Sequence, residues 1–255
     1  MFWKIYAFAK NFILDLFFPK LCFGCGAEGE WICSKCLGKM EVVKVAFCPN
    51  CKKPTIFGEV CETCRSKVFI DGVVVCAHFK EGVLREAIHN FKFNFVFDVG
   101  NFFGKMMVAK TKNYECRIQN TWLSRDNPGV VPAGFDLVVP VPLHKKRFAF
   151  RGFNQAEILS RVICRERSRP FPTGWAINCS GLKRIKHTTP QSELDREERL
   201  KNLKEVFVWS GEKLFGKKIL LVDDITTTGS TLEECAKVLK SAGAESVWGI
   251  VLARG

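Results

Sequence analysis

Eight cysteines in four C-x-x-C pairs, Cys22/Cys25, Cys33/Cys36, Cys48/Cys51 and Cys61/Cys64, crowd the first quarter of the 255-residue chain. A C-x-x-C turn aims two thiolates at one tetrahedral ion, and two such turns complete a four-sulfur site. Four turns complete two. A disulfide framework fits poorly, because no secretion signal is legible and the other five cysteines, Cys76, Cys116, Cys164, Cys179 and Cys235, are scattered singly. A thioredoxin-like redox pair does not explain a fourfold repetition. The expectation is two structural Zn²⁺ ions, since four sulfur ligands leave no open position for water or substrate. Sequential use of the pairs leaves 7 residues between Cys25 and Cys33 and 9 between Cys51 and Cys61. The first is short for a zinc ribbon, so an interleaved pairing stays open.

Ahead of the cysteines, Ile5, Phe8, Phe12 and Leu16 fall at helical spacing, which predicts an amphipathic helix over residues 1–20, packed on the rest of the protein. Lys4, Lys10 and Asp15 interrupt its apolar run, which is too short for a transmembrane segment. No small-residue cleavage site follows, and the polar face is not basic enough for a membrane-surface helix, so a cytoplasmic location is expected.

The formal net charge is +13. Zinc bound by eight thiolates would bring it to about +9. Residues 140–205 hold 15 Lys and Arg against 7 Asp and Glu, so most of the excess sits in one quarter of the chain. Such a field either is a solvated surface or attracts polyanions, whether nucleic acid or a phosphate-rich small molecule.

From about residue 69 the texture becomes that of an α/β domain running to residue 255. Buried-strand runs (DGVVVCAHF, FDLVVPVP, KKILLVDD, SVWGIVLA) alternate with helical stretches (GVLREAIHNFKF, VFDVGNFFGKMMVAK, NQAEILSRVICRER, STLEECAKVLKSAG). That alternation implies a mostly parallel sheet flanked by helices, preceded by a small cysteine-ligated domain over residues 21–68. Residues 111–134 carry turn formers and no period, and are expected to be a long connection.

Ligands bind such sheets beyond the carboxyl ends of the strands. Two strand ends are chemically rich. In ILLVDDITTTGST, Asp223 and Asp224 close a hydrophobic strand, and Thr226, Thr227, Thr228, Gly229, Ser230 and Thr231 lead into a helix. Hydroxyls, backbone N–H groups and the positive end of a helix form a cradle for phosphate. The two carboxylates can accept hydrogen bonds from vicinal hydroxyls. A phosphate joined to a diol is a ribose 5-phosphate. The stretch is neither a G-x-x-x-x-G-K-[ST] loop nor a G-x-G-x-x-G fingerprint. Only 31 residues follow Asp224, too few for a phospho-receiver domain. A plain capping turn explains one hydroxyl and neither acid. The second strand end, VVPVPLHKKRFAFRGFNQ, carries Lys145, Lys146, Arg147 and Arg151 in what reads as a cationic loop suited to a pyrophosphate.

These residues resemble a known family. LLVDDITTTGST is similar to the phosphoribosyl-pyrophosphate (PRPP) binding motif of type I phosphoribosyltransferases. PVPLHKKRFAFRGFNQ and KHTTPQSELDREERLKNLKEVF, with the cysteine pairs ahead of them, resemble its ComF branch, the competence-associated ComF and GntX-like proteins. The resemblance implies that Asp223 and Asp224 hold the ribose hydroxyls and that residues 226–231 hold the 5-phosphate. Pro142, Leu143, His144, Lys145 and Arg151 would then face the pyrophosphate. A closing loop over residues 186–202 would bring in Gln191, Arg199 and Asn202. It further implies Mg²⁺ with PRPP, displacement of pyrophosphate at C1 of ribose by a nucleophile, and a link to DNA uptake with competence proteins as partners. Two other expectations stand beside it: a PRPP or nucleotide sensor without turnover, docking through the ribbons, and a single-stranded DNA binder. Phe148, Phe150 and Phe153 interleave with cations as stacking candidates for the latter.

Overall fold

The computed structural model describes residues 19–80, 82–93, 98–119, 134–167, 175–186 and 205–255. Most of the expected N-terminal helix, and Gln191, Arg199 and Asn202 of the expected closing loop, lie outside the described residues.

The cysteine-rich segment holds two single-turn helices, α1 (Ser34–Leu37) and α2 (Glu62–Arg65), and a small antiparallel pair, β1 (Ala46–Phe47) and β2 (Pro54–Thr55). It is laid along β3 (Gly72–His78), the edge strand of the main sheet, through antiparallel bridges Val42–Ala77 and Glu59–Gly72. Covering the edge in this way satisfies backbone groups that would otherwise be open to another strand.

After β3 come α3 (Val83–Phe93) and α4 (Asp98–Gln119), then β4 (Leu137–Pro140), α5 (Lys145–Arg151), α6 (Gln155–Arg167) and β5 (Ala176–Ile177). An antiparallel pair follows, β6 (Leu182–Arg184) with β7 (Phe207–Trp209), and the chain closes with β8 (Lys218–Thr226), α7 (Ser230–Ser241) and β9 (Ser246–Arg254). The main sheet has the order β3-β9-β8-β4-β5 and every described pairing in it is parallel. The expected α/β class with a parallel sheet is therefore what the chain adopts. β8 is central because Ile219, Leu220, Leu221 and Val222 are all buried. Each such side chain contributes about 1.5–3 kcal/mol when fully buried. Odd residues pack with α7, through Cys235, Ala236 and Leu239, and even residues pack toward α4 and α6, through Phe103, Leu159 and Ile163. The chain leaves β4 toward β5 on one side and β8 toward β9 on the other, so the sheet has its topological switch point between β4 and β8.

Two expectations need correction. The first part of the supposed connection is helix, because α4 runs to Gln119. Nothing in residues 111–119 breaks a helix, and the first Pro-Gly pair comes only at Pro128 and Gly129. The cationic loop after β4 is also a helix, α5. His144 is its N-cap, with Nδ1 accepting from the Lys146 N–H at 3.3 Å, and Gly152 ends it in the left-handed region.

Candidate functional site

At the switch point the C-terminal ends of β4 and β8 open on a cleft of about 140 Å³. Of the residues expected at a PRPP site, Pro142, Leu143, Arg151, Asp223, Asp224 and Thr231 line it. His144 and Lys145 do not, since one caps α5 and the other is exposed on it, and of the expected phosphate turn only Thr231 reaches the lining, with Thr226, Thr227, Thr228, Gly229 and Ser230 outside it. Thr226 belongs to β8 rather than to the turn, which leaves Thr227, Thr228 and Gly229 to link strand and helix.

The two acids stand on a strand, so their side chains leave on opposite faces. Asp223 continues the α7 face and feels Arg184 and Cys235. Asp224 continues the other face, where Lys92 Nζ of α3 meets its Oδ2 at 3.0 Å, with only 17% and 12% of the two side chains exposed. The carboxylates are held by the strand itself: Asp224 N–H donates to Asp223 Oδ1 at 2.8 Å and Ile225 N–H to Asp224 Oδ1 at 2.6 Å. Burial, and then the Asp224 charge beside it, push the Asp223 carboxyl up to about 7.

Facing the acids are four cations: Lys92, Arg147, Arg151 and Arg184. Burial lowers the pKa of both Arg151 and Arg184 from the usual arginine value. Arg151 Nη1 donates to Gln155 Oε1 at 3.1 Å, and Gln155 is 2% exposed. Its Nε2 is buried and has no hydrogen-bond partner among the described residues. Sequence reasoning missed Lys92 and Arg184. Lys92 does interrupt an apolar run, between Phe91 and Phe93, but only the packing of α3 under β8 shows where it points.

At the start of α7, Gly229 has φ +89° and a Cβ there would meet nothing within 4 Å. The residue is glycine for its backbone, not for lack of room. Thr228 Oγ1 and Ser230 Oγ lie 2.8 Å apart, and the turn presents hydroxyls beside the N-terminus of a 12-residue helix.

The cysteines gather sequentially, Cys22, Cys25, Cys33 and Cys36 in one group and Cys48, Cys51, Cys61 and Cys64 in the other, each with its sulfurs within 4.8 Å of one another. The short 7-residue loop does not prevent this, because α1 and α2 place each second pair on a helical turn. Cys25 and Cys33 sulfurs are 3.6 Å apart, and Cys51 and Cys61 sulfurs 3.5 Å. A tetrahedron with Zn–S bonds near 2.3 Å has S···S edges of about 3.8 Å, so both groups fit zinc. Cys33 N–H donates to Cys22 Sγ at 3.3 Å, which helps hold that thiol down to about 6, and Asn50 Nδ2 donates to Cys64 Sγ at 3.2 Å.

Comparison with known proteins finds two family matches along the chain. Residues 13–65 match the family described as double zinc ribbon domain, and residues 154–255 the phosphoribosyl transferase domain. The chain is 29% identical to competence protein F of Haemophilus influenzae over 87% of this chain and 96% of that one. It is 29% identical to the DNA utilization protein YhgH of Escherichia coli, covering 90% and 94%. It is 28% identical to competence protein ComFC of Streptococcus pneumoniae, covering 86% of each. Among the described residues, no helix is long and apolar enough to cross a membrane.

Proposed function

We propose, on the premise that this chain is a ComF-type relative joining a double zinc ribbon to a phosphoribosyltransferase domain, that it binds PRPP at the switch-point cleft and serves DNA uptake. One observation carries the reading: four cations face two carboxylates in a cleft that reaches the start of α7 at Thr231. Polyanion on one side and diol on the other is the charge pattern of PRPP. Asp223 and Asp224 would hold the ribose hydroxyls. Thr227 to Thr231 would hold the 5-phosphate, and Arg147, Arg151 and Arg184 the pyrophosphate. Mg²⁺ carried with PRPP would neutralise part of the leaving group's charge. The zinc ions are structural.

The chemistry such a site supports is displacement at C1. The bond from C1 to the pyrophosphate oxygen breaks, its electron pair leaves on pyrophosphate, and a nitrogen lone pair of the acceptor forms the new bond. The chain's part is to orient the ribose and to surround the leaving group with cations. Calorimetric titration of PRPP with Mg²⁺ tests the reading. Binding heat in the parent, lost in Asp223→Asn/Asp224→Asn, supports it, and equal heats or none in the parent overturn it. Pyrophosphate release only when an acceptor is added marks a transferase, and binding without release marks a sensor.

A second reading, contact with single-stranded DNA, has its own observation. Phe153 is buried, but Phe148 and Phe150 of α5 are 47% and 78% exposed, beside the exposed Lys145 and Lys146. Aromatic faces among cations suit stacked bases and their phosphates. Oligonucleotide binding that does not weaken with salt would sink this reading.

A further inference from the structure

Residues 69–71 lead from the second cysteine group into β3, and they are fastened to α7 on the way. The Phe69 N–H donates to Glu233 Oε1 at 2.7 Å and the Ile70 N–H to Glu233 Oε2 at 3.1 Å, so one carboxylate takes two consecutive backbone donors. Asp71 continues the seam. Its N–H donates to the Val247 carbonyl at 2.9 Å, and its Oδ2 accepts from the Val247 N–H at 2.6 Å. The Lys240 ammonium lies 2.9 Å from the same oxygen, and the Lys237 ammonium stands 6.0 Å from the centre of the Phe69 ring. The linker thus meets α7 at positions 233, 237 and 240, which are neighbours on one helix face.

A staple between two parts of a fold would serve anywhere along the helix, but this one grips its first turn. The Glu233 N–H donates to the Gly229 carbonyl at 3.0 Å, so the carboxylate that holds the linker is one helical turn from the left-handed residue that ends the hydroxyl turn. Beneath it, one apolar core holds Cys48 and Cys64 of the second cysteine group together with Ile70, Leu232 and Cys235. Cys22 and Cys36 of the first group belong to the core on the other side of the sheet. The two cysteine groups rest on opposite faces, and it is the second that shares its core with α7. The charge of Glu233 opposes its placement. A carboxylate in the first turn offsets the positive helix end that a phosphate would use. An acid there works against anion binding through its charge and favours it only through position.

We propose that Glu233 is a positioning residue for the 5-phosphate turn: through it the linker at 69–71 sets the pose of residues 227–231, and the second cysteine group supports that turn when it holds zinc. The inference rests on the ribose-phosphate reading of the cleft. Glu233 acts through the turn and touches no ligand atom. The seam begins five residues past Cys64, so a loosened second knuckle and a released Glu233 disturb the same turn.

The test is calorimetry on the full zinc-loaded chain with ribose 5-phosphate and, separately, Mg²⁺-pyrophosphate. Burial raises the Glu233 carboxyl from its ordinary value, so about pH 8 keeps it ionised. Glu233→Asp keeps the charge and shortens the reach; Glu233→Gln keeps the length and loses the charge and one of the two acceptors. Both should weaken ribose 5-phosphate about three- to tenfold, the scale of one hydrogen bond, and leave pyrophosphate unchanged. A general loosening of the fold would weaken both ligands alike. A pure charge effect would tighten ribose 5-phosphate in Glu233→Gln and leave it unchanged in Glu233→Asp. Either result overturns the proposal. Cys51→Ser, which opens the second group at an exposed ligand, should weaken ribose 5-phosphate by a similar factor, and adding Glu233→Gln to it should cost little more, since both act on one seam. Full additivity overturns the part given to the zinc group. If the parent binds neither ribose 5-phosphate nor PRPP, the ribose-phosphate reading falls and takes this inference with it. If the parent binds and both Glu233 variants bind equally well, the positioning role falls alone.

Discussion

Replacing Asp223 by Asn should stabilise this protein, and the gain should grow with pH. Asp223 is an acid whose folded pKa is raised from 3.8 to about 7, by burial first and by the Asp224 charge second. Folding therefore favours its protonated form. The resulting penalty is absent below about pH 4, grows as pH rises toward 7, and is constant above. At 1.36 kcal/mol per pKa unit, and discounted because Asp223 is only half-buried and shares its charge balance with Asp224, the ionised carboxyl costs on the order of 1 kcal/mol at pH 5 and roughly twice that at pH 8. Asn keeps the shape and carries no charge, so Asp223→Asn should recover those amounts. Urea unfolding of parent and variant at the two pH values, in buffer containing zinc, measures the difference, and the pH dependence of thiolate ligation cancels between them. PRPP binding should be lost in the same variant, which makes the acid a group retained for ligand at the expense of stability. A gain that is the same at pH 5 and pH 8, or a loss of stability at pH 8, would show that Asp223 carries no such penalty.

In the Asp223→Asn background, where relief of Asp223 cannot offset the loss, Asp224→Asn should cost about 1–3 kcal/mol at pH 7, because it removes the carboxylate that pairs with the largely buried Lys92 ammonium; thermal unfolding shows it. Gly229→Ala should lower stability by about 1–2 kcal/mol through backbone strain alone, since φ is +89° and no atom crowds the position, and calorimetry should show weaker PRPP binding with it. Metal analysis should find zinc filling both four-cysteine groups, and Cys25→Ser or Cys51→Ser should each empty one of them. Phe150→Ala should weaken single-stranded DNA binding by about 1–3 kcal/mol in a filter or fluorescence titration at fixed salt, without touching the PRPP cleft.

Much of this molecule could be read from local order along the chain. C-x-x-C spacing is a property of a few bonds, and it specified thiolate turns suited to zinc before any fold was known. The run ILLV followed by two acids, hydroxyls and a glycine is likewise local: a strand, its end and the helix after it are consecutive, so ligand chemistry at that edge was legible. What spacing could not settle was partnership. Cys25 sits with Cys33 because α1 folds the chain back, and no count of intervening residues shows that. The helix in residues 145–151 was hidden because its charges read as a loop, while its cap, His144, works through a side-chain contact two residues on.

The cleft's other half was beyond the sequence for a physical reason. Lys92 and Arg184 come from α3 and β6, far along the chain from the Arg151 and Asp224 that the sequence did point to, and only the packing around the carboxyl ends of the parallel sheet brings the four together. The alternation of a strand sends adjacent Asp223 and Asp224 to opposite faces, where one lies near Arg184 and Cys235 and the other meets the Lys92 ammonium. So the sequence determined which chemical groups this protein has and which local turns hold them. Tertiary packing decided which groups face one another, because side-chain electrostatics act through space over a few ångströms, and that nearness is not written in the order of the residues.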